Sequence, residues 1–290
     1  MNITKSYIKG IQEATLRPKI AFVLWLVNFS FGSVLYFLFS AVLSASALAN
    51  SLSASELLKK ADMNAILEFL TSSGVSLGAL LTVAFVLIVL YFMVSLFLYG
   101  GILHCLVRPR EQESFTQAFF AGGGKYFGRF FRLSVCSVIL WIPAILVFIG
   151  LDILLGAIDK DPAQEQLSFY FTIGRIVFAL FIFFLMKMIM DYARIKIAVD
   201  DSRSVFRTLI AAVGFIFRKL AKALALYYLL GLTGWAAFLV YLKIQSTFAK
   251  SSELPIFLGF IIAQLYIGFR GWLKTAYQAG QWTLFKTESF

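Results

Sequence analysis

Five long stretches of this chain carry no ionised side chain: Ile20–Ser55, Phe69–Val107, Leu133–Leu151, Ala223–Leu242 and Leu254–Phe269. A membrane helix needs ~20 mostly apolar residues to cross ~30 Å of hydrocarbon. Backbone polar groups inside lipid must be satisfied within the segment, which restricts spanning elements to helices and closed barrels. These runs are continuously apolar, whereas barrel strands alternate in polarity. The sequence therefore predicts an all-α, polytopic transmembrane bundle of about six spans. They lie near Ile20–Leu43, Leu77–Leu98, Leu133–Ile153, Phe171–Ile189, Ala223–Leu242 and Pro255–Ala276. The fourth tolerates Arg175 and Lys187 near its ends, where long stems carry the charge towards the headgroups.

With 60% hydrophobic and only 14% charged residues, one integral membrane domain over 1–290 is expected. The first span runs far past a signal-peptide core and shows no small-residue cleavage pattern, so it is expected to be retained. The net charge of +11 reads as topology. Only Lys59, Lys60, Lys160, Arg175, Lys243 and Lys250 fall on one side of the spans, leaving 20 of the 26 Lys and Arg residues on the other. The positive-inside rule then puts both termini in the cytoplasm of a bacterial inner membrane.

Each predicted cytoplasmic segment mixes apolar and basic residues and precedes an out-and-back pair of spans. These segments open at Ser6-Tyr7-Ile8, Ser114-Phe115-Thr116 and Ser204-Val205-Phe206. They suggest three units, 1–110, 111–200 and 201–290, each a surface helix plus a membrane hairpin. In the first, Tyr7, Ile8, Ile11 and Ala14 form the expected membrane-facing stripe. In the second, Gly122-Gly123-Gly124 is expected to break two surface helices. In the third, Asp200 and Asp201 are expected to favour the N-terminus of the next helix. A further amphipathic helix is expected at Ser55–Leu70, and a polar tail from Gln278.

The chemistry-bearing motifs are few. Gly124-Lys125 lacks the spacing of a phosphate loop, and Tyr126 stands where Ser or Thr would bind the metal. His104 is the single histidine and has no nearby ligand cluster, so it reads as a packed residue. Cys105 and Cys136 read as small hydrophobes. No catalytic group, cofactor site or metal site is predicted. Asn28 and Gln264 read as interhelical hydrogen-bond partners, with Gly32 and Tyr36 on the Asn28 stripe. Asp152 and Arg175 are placed to pair. No Asp or Glu stands mid-span, which weighs against ion-coupled transport.

The residues left as candidate contacts for a partner or a lipid are Lys187, Asp191, Arg194, Lys125, Arg129, Arg132, Arg218 and Lys219. Lys187, Asp191 and Arg194 follow an i, i+4, i+7 spacing. They could anchor a partner or headgroup, or only pair among themselves at an exposed helix end. Phe119, Phe120, Phe127, Phe130 and Phe131, interleaved with Lys125, Arg129 and Arg132, suit rings at headgroup level and cations on anionic phospholipid; nucleic acid is not expected.

Three stretches carry a family resemblance. They are Arg17-Pro18-Lys19 with Leu24-Trp25-Leu26-Val27-Asn28, then Gly122-Gly123-Gly124-Lys125-Tyr126-Phe127-Gly128-Arg129-Phe130, then Asp191-Tyr192-Ala193-Arg194-Ile195. Together they resemble bacterial six-span membrane proteins related to the membrane domain of glycerophosphoryl diester phosphodiesterases. The resemblance implies fold and topology over nearly the whole chain. It implies no catalysis, since no soluble phosphodiesterase domain is present. The functional expectation is a non-enzymatic scaffold or structural subunit bound to other membrane proteins; the alternative is a lipid or small-amphiphile transport component.

Overall fold

A computed structural model describes residues 3–45, 77–107, 114–158, 165–247 and 253–289. The helix predicted at Ser55–Leu70 lies outside these residues. Eight helices form among the described residues: α1 Ile3–Thr15, α2 Pro18–Ala45, α3 Leu77–Val107, α4 Phe115–Ile158, α5 Glu165–Asp200, α6 Val205–Arg218, α7 Leu220–Thr247 and α8 Glu253–Ser289. Among the same residues there is no strand. Six of the helices, α2–α5, α7 and α8, are long and apolar enough to cross a membrane. The molecule is an all-α, multi-pass membrane bundle.

Local chemistry sets the joints. Pro18 opens α2 at the first helical position, where its missing N–H costs nothing. Between α5 and α6 the chain turns at Asp201, which adopts a left-handed φ of 47°. Between α6 and α7 only Lys219 intervenes; its N–H donates to the Phe215 and Ile216 carbonyls at 3.0 and 3.1 Å.

The long helices are tightly packed at one end only. There the core gathers Leu103, Tyr126, Phe130, Met188, Tyr192, Ile216, Leu226 and Leu284, all buried. The same end holds α1, α6 and the first turns of α4, and we call it the base. Beyond it the helices continue as three out-and-back pairs, α2 with α3, α4 with α5, and α7 with α8. In the base each returning helix packs on the helix that follows it in the chain, α3 on α4 and α5 on α6, while α8 packs back on α1. The contacts thus close into a ring. The three returning helices α3, α5 and α8 also touch one another inside it.

Two of these crossings use small residues. On α1 the buried stripe is Ser6, Gly10 and Ala14. A Cβ on Gly10 would lie 2.8 Å from the Ala276 carbonyl oxygen and 3.0 Å from the Gly280 Cα. Where α3 meets α4, a Cβ on Gly100 would lie 2.9 Å from the Gly122 carbonyl oxygen, and one on Gly122 would lie inside the His104 side chain. Small residues at such spacing let helix backbones approach closely and pack against one another.

Several sequence expectations change here. Gly122-Gly123-Gly124 does not break a helix; α4 runs unbroken from Phe115 into the third span, because the first two glycines are packed against α3. The α1 stripe faces protein through Ser6, Gly10 and Ala14, and Ile8 is exposed instead. The segment from Gln278 is not a polar tail; it continues α8, with Gln278, Gln281, Leu284 and Phe285 buried. Phe119 and Phe130 belong to the base core, while Phe120 and Phe131 face outward. Gly32 meets nothing, and Tyr36 is 69% exposed, so of that stripe only Asn28 makes a helix contact, accepting from the Tyr91 hydroxyl at 2.9 Å.

Candidate functional site

Five spans contribute polar contacts beyond the base, and these join helices in pairs. The Trp25 indole donates to Gln264 at 3.1 Å, linking α2 to α8. Arg175 pairs with Asp152 at 3.1 Å across the α4–α5 hairpin, as their spacing predicts. Cys105 and Cys136 are half-buried. His104 is buried and stands 6.0 Å, ring to ring, from Tyr126. Among the described residues, no three His, Cys, Asp or Glu side chains gather as a metal site would need.

Three groups of charges stand out in the base. In the first, Asp201 accepts from Lys125 at 2.9 Å and pairs with Arg129, so the α5–α6 turn is tied to α4. The hydrogen bonds from Lys125 and then Arg129 hold the Asp201 carboxyl below the usual aspartate range. This corrects the capping expectation: Ser204 is the N-cap of α6, without a side-chain cap bond, and Asp200 pairs with Lys196 at 2.8 Å. In the second, Glu288 near the end of α8 receives Lys219 at 2.8 Å and Lys222 at 2.6 Å. Lys125, Arg129 and Lys219 are therefore engaged inside the chain. Arg132 and Arg218 fold back on their own helices, donating to the Gly128 and Gly214 carbonyls at 3.2 and 3.1 Å.

The third group is the candidate site. Lys187, Asp191 and Arg194 lie along one face of α5. Lys274, Gln278 and Gln281 lie along one face of α8 with the same i, i+4, i+7 spacing. Both helices run towards the base, and they pack on each other and on α3. Asp191 is 8% exposed and accepts from Arg194 at 3.1 Å. Lys187 and Lys274 stand near enough to act on the same carboxylate, and the Gln281 amide faces it. Tyr99 of α3 completes the seam: the Arg194 guanidinium lies 4.4 Å and the Lys274 ammonium 4.1 Å from its ring centroid. A ring so placed stabilises both cations without neutralising either.

Asp191 is thus self-paired with Arg194 on its own helix, as one of the two sequence readings had it, but the pair is not exposed, because α3 and α8 cover it. Breaking an ion pair in such surroundings costs about 3–5 kcal/mol, against about 0–1 for an exposed pair. Charge in the seam is unbalanced, with three cations around one carboxylate. Both amide atoms of Gln278 and of Gln281 are buried and lack hydrogen-bond partners. Sequence reasoning found the α5 half and missed Lys274, Gln278, Gln281 and Tyr99. The repeated spacing on α8 was an available signal; Tyr99, inside an uncharged run, offered none.

Comparison of the chain with protein-family models, with curated proteins and with solved structures returns no match.

Proposed function

We propose that the chain is a non-enzymatic integral subunit or scaffold of a bacterial inner-membrane assembly, oriented with its base and both termini in the cytoplasm. One observation carries this reading: beyond the base, the spans present apolar side chains on nearly every face. On α4, Val135, Val138, Ile139, Ile142, Ile145, Leu146, Val147, Ile149, Ile153 and Leu154 are all exposed. Surfaces this extensive suit lipid and neighbouring membrane helices. The polar groups able to do chemistry are concentrated in the base, where most are paired within the chain. The positive charge of the base supports the orientation. A C-terminal alkaline phosphatase fusion active in the periplasm would overturn that orientation.

The scaffold reading is tested by mild detergent extraction from native membranes. Stable co-migration with specific membrane proteins is expected. A monodisperse particle containing this chain alone, after extraction that keeps known complexes intact, would overturn it. A second reading, lipid or small-amphiphile transport, is favoured by the cation-rich seam at the top of the base; it requires protein-dependent lipid movement between vesicles, and its absence would remove that reading.

A further inference from the structure

The cations of the seam lack a matching set of acids. Among the described residues, Glu13 is held by Arg17, Asp152 by Arg175, Asp200 by Lys196, Asp201 by Lys125 and Arg129, and Glu288 by Lys219 and Lys222. Asp191 is committed to Arg194. Among the described residues, Lys187 and Lys274 stand beside it with no ion pair within 4.0 Å. Lys187 is exposed and Lys274 half-buried, so the seam opens outward at the lysine end and closes inward at Arg194. Gln278 and Gln281, unpartnered and 4% and 1% exposed, supply donors along the inner wall. Surplus positive charge with amide donors beside it is complementary to an anion.

The depth of the seam identifies which anion. At 1.5 Å per residue, α4 is about 66 Å long, more than twice the ~30 Å hydrocarbon layer. Its base portion therefore stands outside the hydrocarbon. The uncharged part of α4 begins at Leu133, that of α8 ends at Phe269, and that of α5 ends at Met186. Arg132, Arg270 and Lys187 mark the boundary, and Lys274 lies one turn below it. The open end of the seam is therefore at the level of the phospholipid phosphates.

We propose that the mouth of the α5–α8 seam binds the phosphate of one acidic phospholipid, with Lys187 and Lys274 as its direct contacts. Arg194 is committed to Asp191 and the Tyr99 ring and is not a direct contact. The site is independent of the scaffold reading: co-purifying proteins report on the one, a retained lipid on the other.

The test uses the purified full chain in neutral detergent, offered equal phosphatidylglycerol and phosphatidylcholine and read by native mass spectrometry. One phosphatidylglycerol is expected to be retained preferentially. A lysine near a headgroup is worth about fivefold in binding, so Lys187→Gln and Lys274→Gln should each lower its occupancy about fivefold. Arg132→Gln, at the same level but outside the seam, should not. Equal retention of the two lipids would overturn the proposal, as would a loss in Arg132→Gln equal to that in Lys274→Gln. Should Lys274→Gln fail to fold, the exposed Lys187→Gln carries the test. Inorganic phosphate forms a separate arm. If it raises the thermal midpoint of the native chain as much as phosphatidylglycerol does, the lipid assignment fails and the site binds free phosphate.

Discussion

Alanine at Gly122 and alanine at Gly124 should move stability in opposite directions, although two residues apart in one helix. A Cβ at Gly122 would lie 2.2 Å from the His104 Cβ and 2.6 Å from its Cγ, with the Gly100 carbonyl oxygen at 3.1 Å. Neither His104 Cβ nor a helical carbonyl can swing aside, so α3 and α4 must separate. Overpacking of a well-packed contact costs about 1–3 kcal/mol, and contacts this short belong at the upper end. The helix-propensity gain of alanine over glycine returns about 1 kcal/mol, leaving a net loss of about 2. At Gly124 a Cβ meets nothing within 4 Å, so the propensity gain of about 1 kcal/mol stands alone. At roughly 2 °C per kcal/mol for a chain of this size, the two variants should differ by about 6 °C in thermal midpoint, read by tryptophan fluorescence in mild detergent. The His104 partner adds a geometric control. His104→Gly removes both clashing carbons and should restore part of the loss in Gly122→Ala, whereas His104→Ala leaves the Cβ and should restore little. Equal midpoints for Gly122→Ala and Gly124→Ala would refute the close-crossing argument.

Two further outcomes follow from the charges of the base. Asp191→Asn should lower stability by about 3–5 kcal/mol, because it leaves Arg194 without its carboxylate in a covered seam; a change below about 1 kcal/mol in detergent unfolding would show the seam to be solvated. Asp201 has its pKa depressed by Lys125 and Arg129, so its contribution is present above the unfolded aspartate value of about 4 and is lost as pH falls through the lower folded value. Asp201 is more than half exposed, so that contribution is only about 0–1 kcal/mol per pair after screening. Asp201→Asn should flatten the acid limb of the stability profile below about pH 4 and leave a loss of that size at pH 7; an unchanged acid limb would count against the pairing.

The spans were legible because charge-free length is a direct consequence of the solvent. What the sequence did not show was how the spans meet. In water a glycine run reads as a helix breaker, and that reading of Gly122-Gly123-Gly124 failed because propensity was applied where packing decides. Gly122 and Gly123 are spacers between α3 and α4, and only Gly124 is free of contacts. A similar error hid the α1 interface. Tyr7, Ile8, Ile11 and Ala14 gave the apolar stripe, yet beside Ala14 the docking face of α1 is Ser6 and Gly10, which carry almost no hydrophobic signal. The polar seam was half legible for another reason. Asp191 and Arg194 stood out as charges after an apolar run, whereas Gln278 and Gln281, uncharged and near the end of the chain, read as solvent-facing. Pairings such as Asp201 with Lys125 and Arg129 span more than seventy positions, and nothing local points to them.

The division between base and hairpins follows from what can hold helices together in each medium. Within lipid an exposed leucine is as well placed as a packed one, so apolar side chains give the outer spans little reason to close. The contacts that join those spans are correspondingly sparse and specific: Arg175 with Asp152, Trp25 with Gln264, Tyr91 with Asn28, and the stacked rings of Tyr241 and Tyr266 at 4.5 Å. At the base, water is near enough for burial of Phe119, Phe130, Tyr192 and Ile216 to be favourable, and the small-residue crossings and ion pairs add to it. Stability is therefore concentrated where the three returning helices meet, around Asp191. Changes in the outer spans should alter what the protein contacts, and changes in the base should decide whether it folds.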